Sequence, residues 1–151
     1  MQVVIDDGGR AAAGFRGEAG DCVTRSIAIA TGLPYRQVYD ELGWSVGQWS
    51  QSNRSRQARA WSAGRKGATA RNGTPPDVTR LYLADLGWTW TPTMRIGSGT
   101  TVHLRANELP GGRLVVRCSR HVTAVIDGVV YDTHDPTRRG TRAVYGYWSA
   151  P

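Results

Sequence analysis

The sequence predicts an α+β domain, and three observations carry that prediction. Apolar residues recur at helical spacing in three stretches before residue 87. β-branched and aromatic runs fill the C-terminal third. Between two of those runs stands Asp127-Gly128, a strong short-range signal for a two-residue hairpin. Helices first and strands afterwards imply segregated layers rather than the alternation that builds a parallel sheet. At 151 residues the chain has the size of one domain. We therefore expect a single domain over residues 1–151, with an N-terminal central helix packed on an antiparallel sheet.

Taken in order, residues 1–20 are rich in Gly, Ala and Arg and without a period, so an irregular lead-in is expected, with a short strand at Val3–Ile5. From Asp21 the pattern changes. Cys22, Val23, Ser26, Ile27, Ile29 and Ala30 suit a buried helix, with Asp21 as N-cap and Gly32 as its stop. Pro34 opens a second helix, carried by Tyr35, Val38, Tyr39 and Leu42 and ended by Gly43. Residues 45–73 are Ser, Gln, Arg, Gly and Ala with Trp49 and Trp61, and read as a long loop that includes a basic stretch from Arg54 to Lys66. After Pro75-Pro76 a third helix is expected over Asp77–Leu86, with Val78, Leu81, Tyr82 and Leu86 on one face. Trp88 and Trp90 alternate as in a strand. Further strands are expected at Thr101–Leu104, Arg113–Cys118, His121–Ile126, Val129–Thr133 and Ala143–Trp148.

Nineteen basic against twelve acidic side chains leave a net charge of +7, and every basic residue but Lys66 is an arginine. That charge favours an acidic partner such as nucleic acid, an acidic protein face or a cell-wall polymer. A GC-rich genome produces the same arginine bias. The apolar runs are far shorter than a membrane span, and acids stand where a signal peptide carries bases, so a cytoplasmic protein without membrane contact is expected. Two cysteines, Cys22 and Cys118, are too few for a disulfide framework and are expected as free thiols.

The hairpin can be worked out in register. A two-residue Asp127-Gly128 loop pairs Ile126 with Val129, Thr123 with Asp132 and His121 with His134. His121, Thr123 and Val125 then share one face with Val130, Asp132 and His134. Asp132 is diagonal to His121 there, a carboxylate within reach of an imidazole whose tautomer and charged form it would support. Asp135 would point away. Cys22 is the better nucleophile of the two thiols, because the start of a helix offers free N–H groups and partial positive charge that favour a thiolate. A neighbouring imidazolium would favour it further. Asp21, as a neighbouring anion, works the other way. The residues thus point to a cysteine hydrolase in which Cys22 attacks a carbonyl, His121 moves the proton and Asp132 holds the ring, with no cofactor and a protein or peptide substrate.

This order, a cysteine opening an early helix, a histidine opening a strand and an acid on the next strand, resembles the papain-like cysteine peptidase fold. Gly20-Asp21-Cys22 is similar to its nucleophile element, Ser119-Arg120-His121 with the run to Gly128 to its histidine strand, and Val130–Pro136 to the strand of the third residue. The C-terminal run through Tyr145-Gly146-Tyr147-Trp148 is similar to that of small uncharacterised phage and bacterial proteins of this type. More distant is the resemblance to bacteriocin-processing peptidases and to cell-wall amidopeptidases. In the bacteriocin-processing group the acid precedes a proline, which would select Asp135. Papain-like peptidases commonly carry a glutamine a few residues before the cysteine as a second oxyanion donor. Here Arg16 stands six before Cys22, and no glutamine lies between Gln2 and Cys22.

Each candidate has a plainer reading. Cys22 would then be an inert buried thiol, His121 an exposed strand-end residue, Asp132 a turn-bonding acid and Cys118 core packing. Cys118, His121, His134 and Cys22 also suggest zinc, but Cys118 and His121 are three apart and fall on opposite faces of a straight strand. His103 has no visible partner. The competing functions are a non-catalytic basic protein of the same fold, binding nucleic acid or an acidic host protein, and a transglutaminase- or acyltransferase-like enzyme in which an amine replaces water.

Overall fold

The computed structural model describes residues 1–52 and 69–151. Among the described residues, three helices, α1 (Cys22–Thr31), α2 (Tyr35–Ser52) and α3 (Pro76–Asp85), accompany eight strands. These are β1 (Gln2–Ile5), β2 (Thr89–Pro92), β3 (Met94–Arg95), β4 (Gly99–Thr100), β5 (Arg113–Cys118), β6 (His121–Ile126), β7 (Val129–Asp132) and β8 (Val144–Ser149). Six strands form one sheet in the order β1-β7-β6-β5-β8-β2, and β3 and β4 make a separate two-stranded ribbon. Helices and sheet are segregated, as expected. The sheet is mixed rather than wholly antiparallel, because β1 returns to the free edge of β7 and pairs with it in parallel.

Alternation divides the sheet's side chains between two cores. Val115, Val122, Ala124 and Trp148 pack with the helices, α1 lying across β5, β6 and β7. Leu114, Val116, Val125, Val130 and Val144 pack on the other face with Leu104 and Leu109. The 127–128 hairpin has the anticipated register, with Ile126 opposite Val129 and Val125 opposite Val130. Both turn residues have positive φ, 48° at Asp127 and 77° at Gly128, as a right-twisted two-residue hairpin requires. Gly146 of β8 is compelled by packing: a Cβ there would lie 2.3 Å from the Trp90 ring.

Several elements depart from expectation. Helix α2 does not stop at Gly43 but runs to Ser52. Val38, Leu42, Val46 and Trp49 form one apolar stripe against the helix-side core, and its burial outweighs the roughly 1 kcal/mol that each helical glycine costs. The expected loop over residues 45–73 is therefore helical to Ser52. Trp61 and the basic stretch 54–66 lie outside the described residues. On α3 the buried face is Val78, Thr79, Tyr82 and Leu83, while Leu81 is exposed. No strand forms over 101–104. His103 makes a single bridge to Ala143, and the Glu108 carboxylate then takes the His103 N–H at 2.6 Å, ending the ladder. His103 is also partnered through its ring, 3.1 Å from the same carboxylate. Among the described residues no helix is long and apolar enough to cross a membrane.

Candidate active site

Helix α1 begins at Cys22, and its first turn is stitched to the start of β6. The Ser26 hydroxyl lies 2.6 Å from the Cys22 carbonyl oxygen and 2.9 Å from that of Val122, so one proton is shared between helix and strand. The Val122 N–H faces the Cys22 sulfur. This docking brings the helix start to the end of the sheet where β6 begins and β7 stops. His121 and Asp132 are the terminal residues of those two strands.

The three candidate residues meet there. His121 Nε2 lies 2.7 Å from Asp132 Oδ2. The ring also interacts with the Cys22 thiol. Burial pushes the Cys22 thiol up, but the hydrogen bond and positive charge of His121, the Val122 N–H and Arg25 together hold it below its ordinary 9.0. Burial pulls His121 down, but Asp132 and Cys22 raise it from 6.5 to about 9. Both shifts run in the same direction, favouring the imidazolium–thiolate pair over the neutral one. Burial alone would raise Asp132, yet the His121 hydrogen bond keeps it below 3.8. Its second oxygen accepts the Thr133 N–H at 2.7 Å.

Asp135 is exposed and turned to its own loop, accepting the Thr137 N–H at 2.8 Å. His134, expected opposite His121, lies beyond the paired residues, its ring centroid 5.1 Å away and its Nδ1 3.8 Å from Asp132. Arg16 does not line the cleft; its carbonyl is held by Arg10 and Arg71. Cys118 and His121 do not fall on opposite faces. A two-residue turn at Ser119-Arg120 makes them cross-strand partners on one face. The Cys118 side chain nevertheless belongs to the core beneath the sheet, 2% exposed, and burial pushes its thiol up to about 11. Among the described residues no group of three or more His, Cys, Asp or Glu is arranged to hold a metal ion.

Asp21 is not a capping side chain. Its carboxylate makes no bond to the helix N–H groups. Instead it is buried against Arg25, the Tyr35 hydroxyl at 2.5 Å and Arg10 at 3.4 Å. Two cations thus offset its charge beside the thiol. Arg25 is the residue that sequence reasoning missed. One arm of its guanidinium pairs with Asp21 and the other lies 3.6 Å from Asp132 Oδ1, so it ties the helix start to the acid of the strand. Its i,i+4 spacing from Asp21 was the available signal.

A cleft of about 730 Å³ runs over these groups, its lining including Gly20, Cys22, Asn72, Arg120, His121 and His134. A cysteine in an open cleft, beside an imidazole that a buried carboxylate orients, can as thiolate and imidazolium add to a carbonyl carbon and deliver a proton to a leaving group. No family model, no curated protein and no solved structure matches this chain.

Proposed function

We propose that this protein is a cysteine-dependent hydrolase of papain-like architecture, acting on an amide or isopeptide bond of a protein or peptide. The observation that carries the reading is His121 held between Cys22 and Asp132, with a depressed thiol on one side and a depressed carboxyl on the other. The Cys22 thiolate adds to the carbonyl carbon, and the developing oxyanion meets the N–H groups at the start of α1. The C–N bond then breaks as His121 gives its proton to the departing amine. Water attacks the thioester, losing its proton to His121, and the carboxylic acid leaves as sulfur regains its charge. An amine in place of water would make the same site an acyltransferase.

The test is alkylation of Cys22 by iodoacetamide across pH. Fast labelling whose midpoint lies below 9.0, and which is lost in His121→Ala, supports the hydrolase. A second reading, a non-catalytic basic binding protein, draws on the arginines around the cleft. Slow labelling that is indifferent to His121, together with salt-sensitive binding of nucleic acid, would establish that reading and overturn the first.

A further inference from the structure

Beside the cleft, and sharing His121 with it, lies a second hollow of about 480 Å³. It is lined by Ser119, Arg120, His121, His134, Arg138 and Arg142 and shares Arg120, His121 and His134 with the cleft, but does not touch Cys22. No carboxylate is among its lining residues. The nearest acids are already engaged, Asp132 by His121 and Asp135 by the Thr137 N–H.

Arg142 is the informative member. It is 9% exposed, and one arm of its guanidinium donates to the Ser119 carbonyl at 2.7 Å. The same guanidinium also acts on the buried Cys118 thiol, so Arg142 is anchored from behind and held rigidly at the hollow. A guanidinium matches a carboxylate in shape and charge, and the hollow gathers three of them. Arg120 and Arg138 project from backbone with φ of 56° and 51°, a region that most side chains avoid. The turns on both sides of the hollow therefore carry arginine where glycine or asparagine would be less strained.

We propose that this hollow is the subsite for a carboxylate carried on the leaving-group side of the scissile bond. The proposal rests on the hydrolase reading, since His121 protonates the leaving amine and that part of the substrate must lie on its side of the cleft. The carboxylate is either the free C-terminus of the leaving segment or an acidic side chain next to the bond.

Protection of Cys22 in the full chain against iodoacetamide tests this, with glycylglycine, glycylglycine amide and glycyl-aspartate α-amide as protectants. At least one of the two carboxylates should protect at a concentration roughly tenfold below that of glycylglycine amide, and the one that does identifies the source. The difference should vanish in Arg120→Gln/Arg138→Gln and weaken in Arg142→Lys, which keeps the charge but removes the fork. It should persist in Arg80→Gln/Arg95→Gln, which removes two exposed charges elsewhere. Equal protection by acid and amide, a preference that survives Arg120→Gln/Arg138→Gln, or protection by a ten-residue oligothymidylate but by neither carboxylate would overturn the subsite. A wild-type rate no faster than that of His121→Ala before any dipeptide is added overturns the hydrolase reading and the subsite with it. A fast rate with no carboxylate preference overturns the subsite alone.

Discussion

Cys22 and Cys118 stand at the same end of the sheet, one at the start of the helix docked on β6 and the other directly across the hairpin from His121. Both thiols are shielded, and burial raises both. What separates them is who donates to the sulfur. Cys22 has an imidazole, a backbone N–H and a nearby guanidinium, and ends below 9.0. Cys118 lies among Leu114, Val116 and Val144, where Arg142 and Arg138 offset only part of the burial, and ends at about 11. Proximity to His121 along the chain or across a ladder does not make a nucleophile. The groups around the sulfur do, and Cys118, although it shares a face with His121, is packed in the apolar core beneath the sheet.

The contrast can be broken most sharply by deleting one thiol at a time. Cys22→Ala should remove all fast alkylation and all turnover, whereas the chain with only Cys22 should label to one equivalent; mass spectrometry of the modified peptide reads both. Arg25→Gln leaves the buried Asp21 with Arg10 as its one cation and should lower unfolding stability by about 3 kcal/mol in urea titration, because a buried ion loses its best partner. An unchanged urea midpoint would mean that Arg25 does not hold the helix start. In His121→Ala the groups that lower the thiol are largely gone while burial remains, so its pKa moves up. Alkylation at pH 7 should then fall by roughly 100-fold, the low end of what a positioned base contributes. Asp132→Asn removes the charge that supports the imidazolium and should slow the same reaction by about tenfold, with the His121 titration, followed by NMR, moving down from about 9. At the small end, Cys118→Ala should cost about 1 kcal/mol of stability through a core void without altering the alkylation rate. Asp135→Ala should change that rate less than about twofold; a larger fall would transfer the acid's role to the residue before the proline.

The parts of the molecule that were legible share one feature: their determinants lie within a few residues of each other. The Asp127-Gly128 turn sets the register of β6 and β7 because both residues adopt positive φ and the loop length then dictates every pair. Gly32 ends α1 in the left-handed region as its sequence position implies. The parts that were illegible depend on distant chain. Gly43 is a reasonable helix stop until Val46 and Trp49 find the core waiting for them. Asp21 is a reasonable cap until Arg10, Arg25 and Tyr35 surround its carboxylate. Cys118 and His121 are on opposite faces of a straight strand, and on one face only because the chain turns at Ser119-Arg120.

The pairing of His121 with Asp132 was thus decided locally, since alternation and a two-residue turn leave little freedom to either side chain. The arrival of Cys22 beside that pair was decided by the tertiary structure, through a helix docking that Ser26 and Val122 secure across nearly a hundred residues of chain. The return of β1 to the edge of β7 and the gathering of Arg120, Arg138 and Arg142 around one hollow are of the same kind. Local periodicity specifies which way a side chain faces. Which surfaces then meet depends on burying apolar area that no short segment can bury alone.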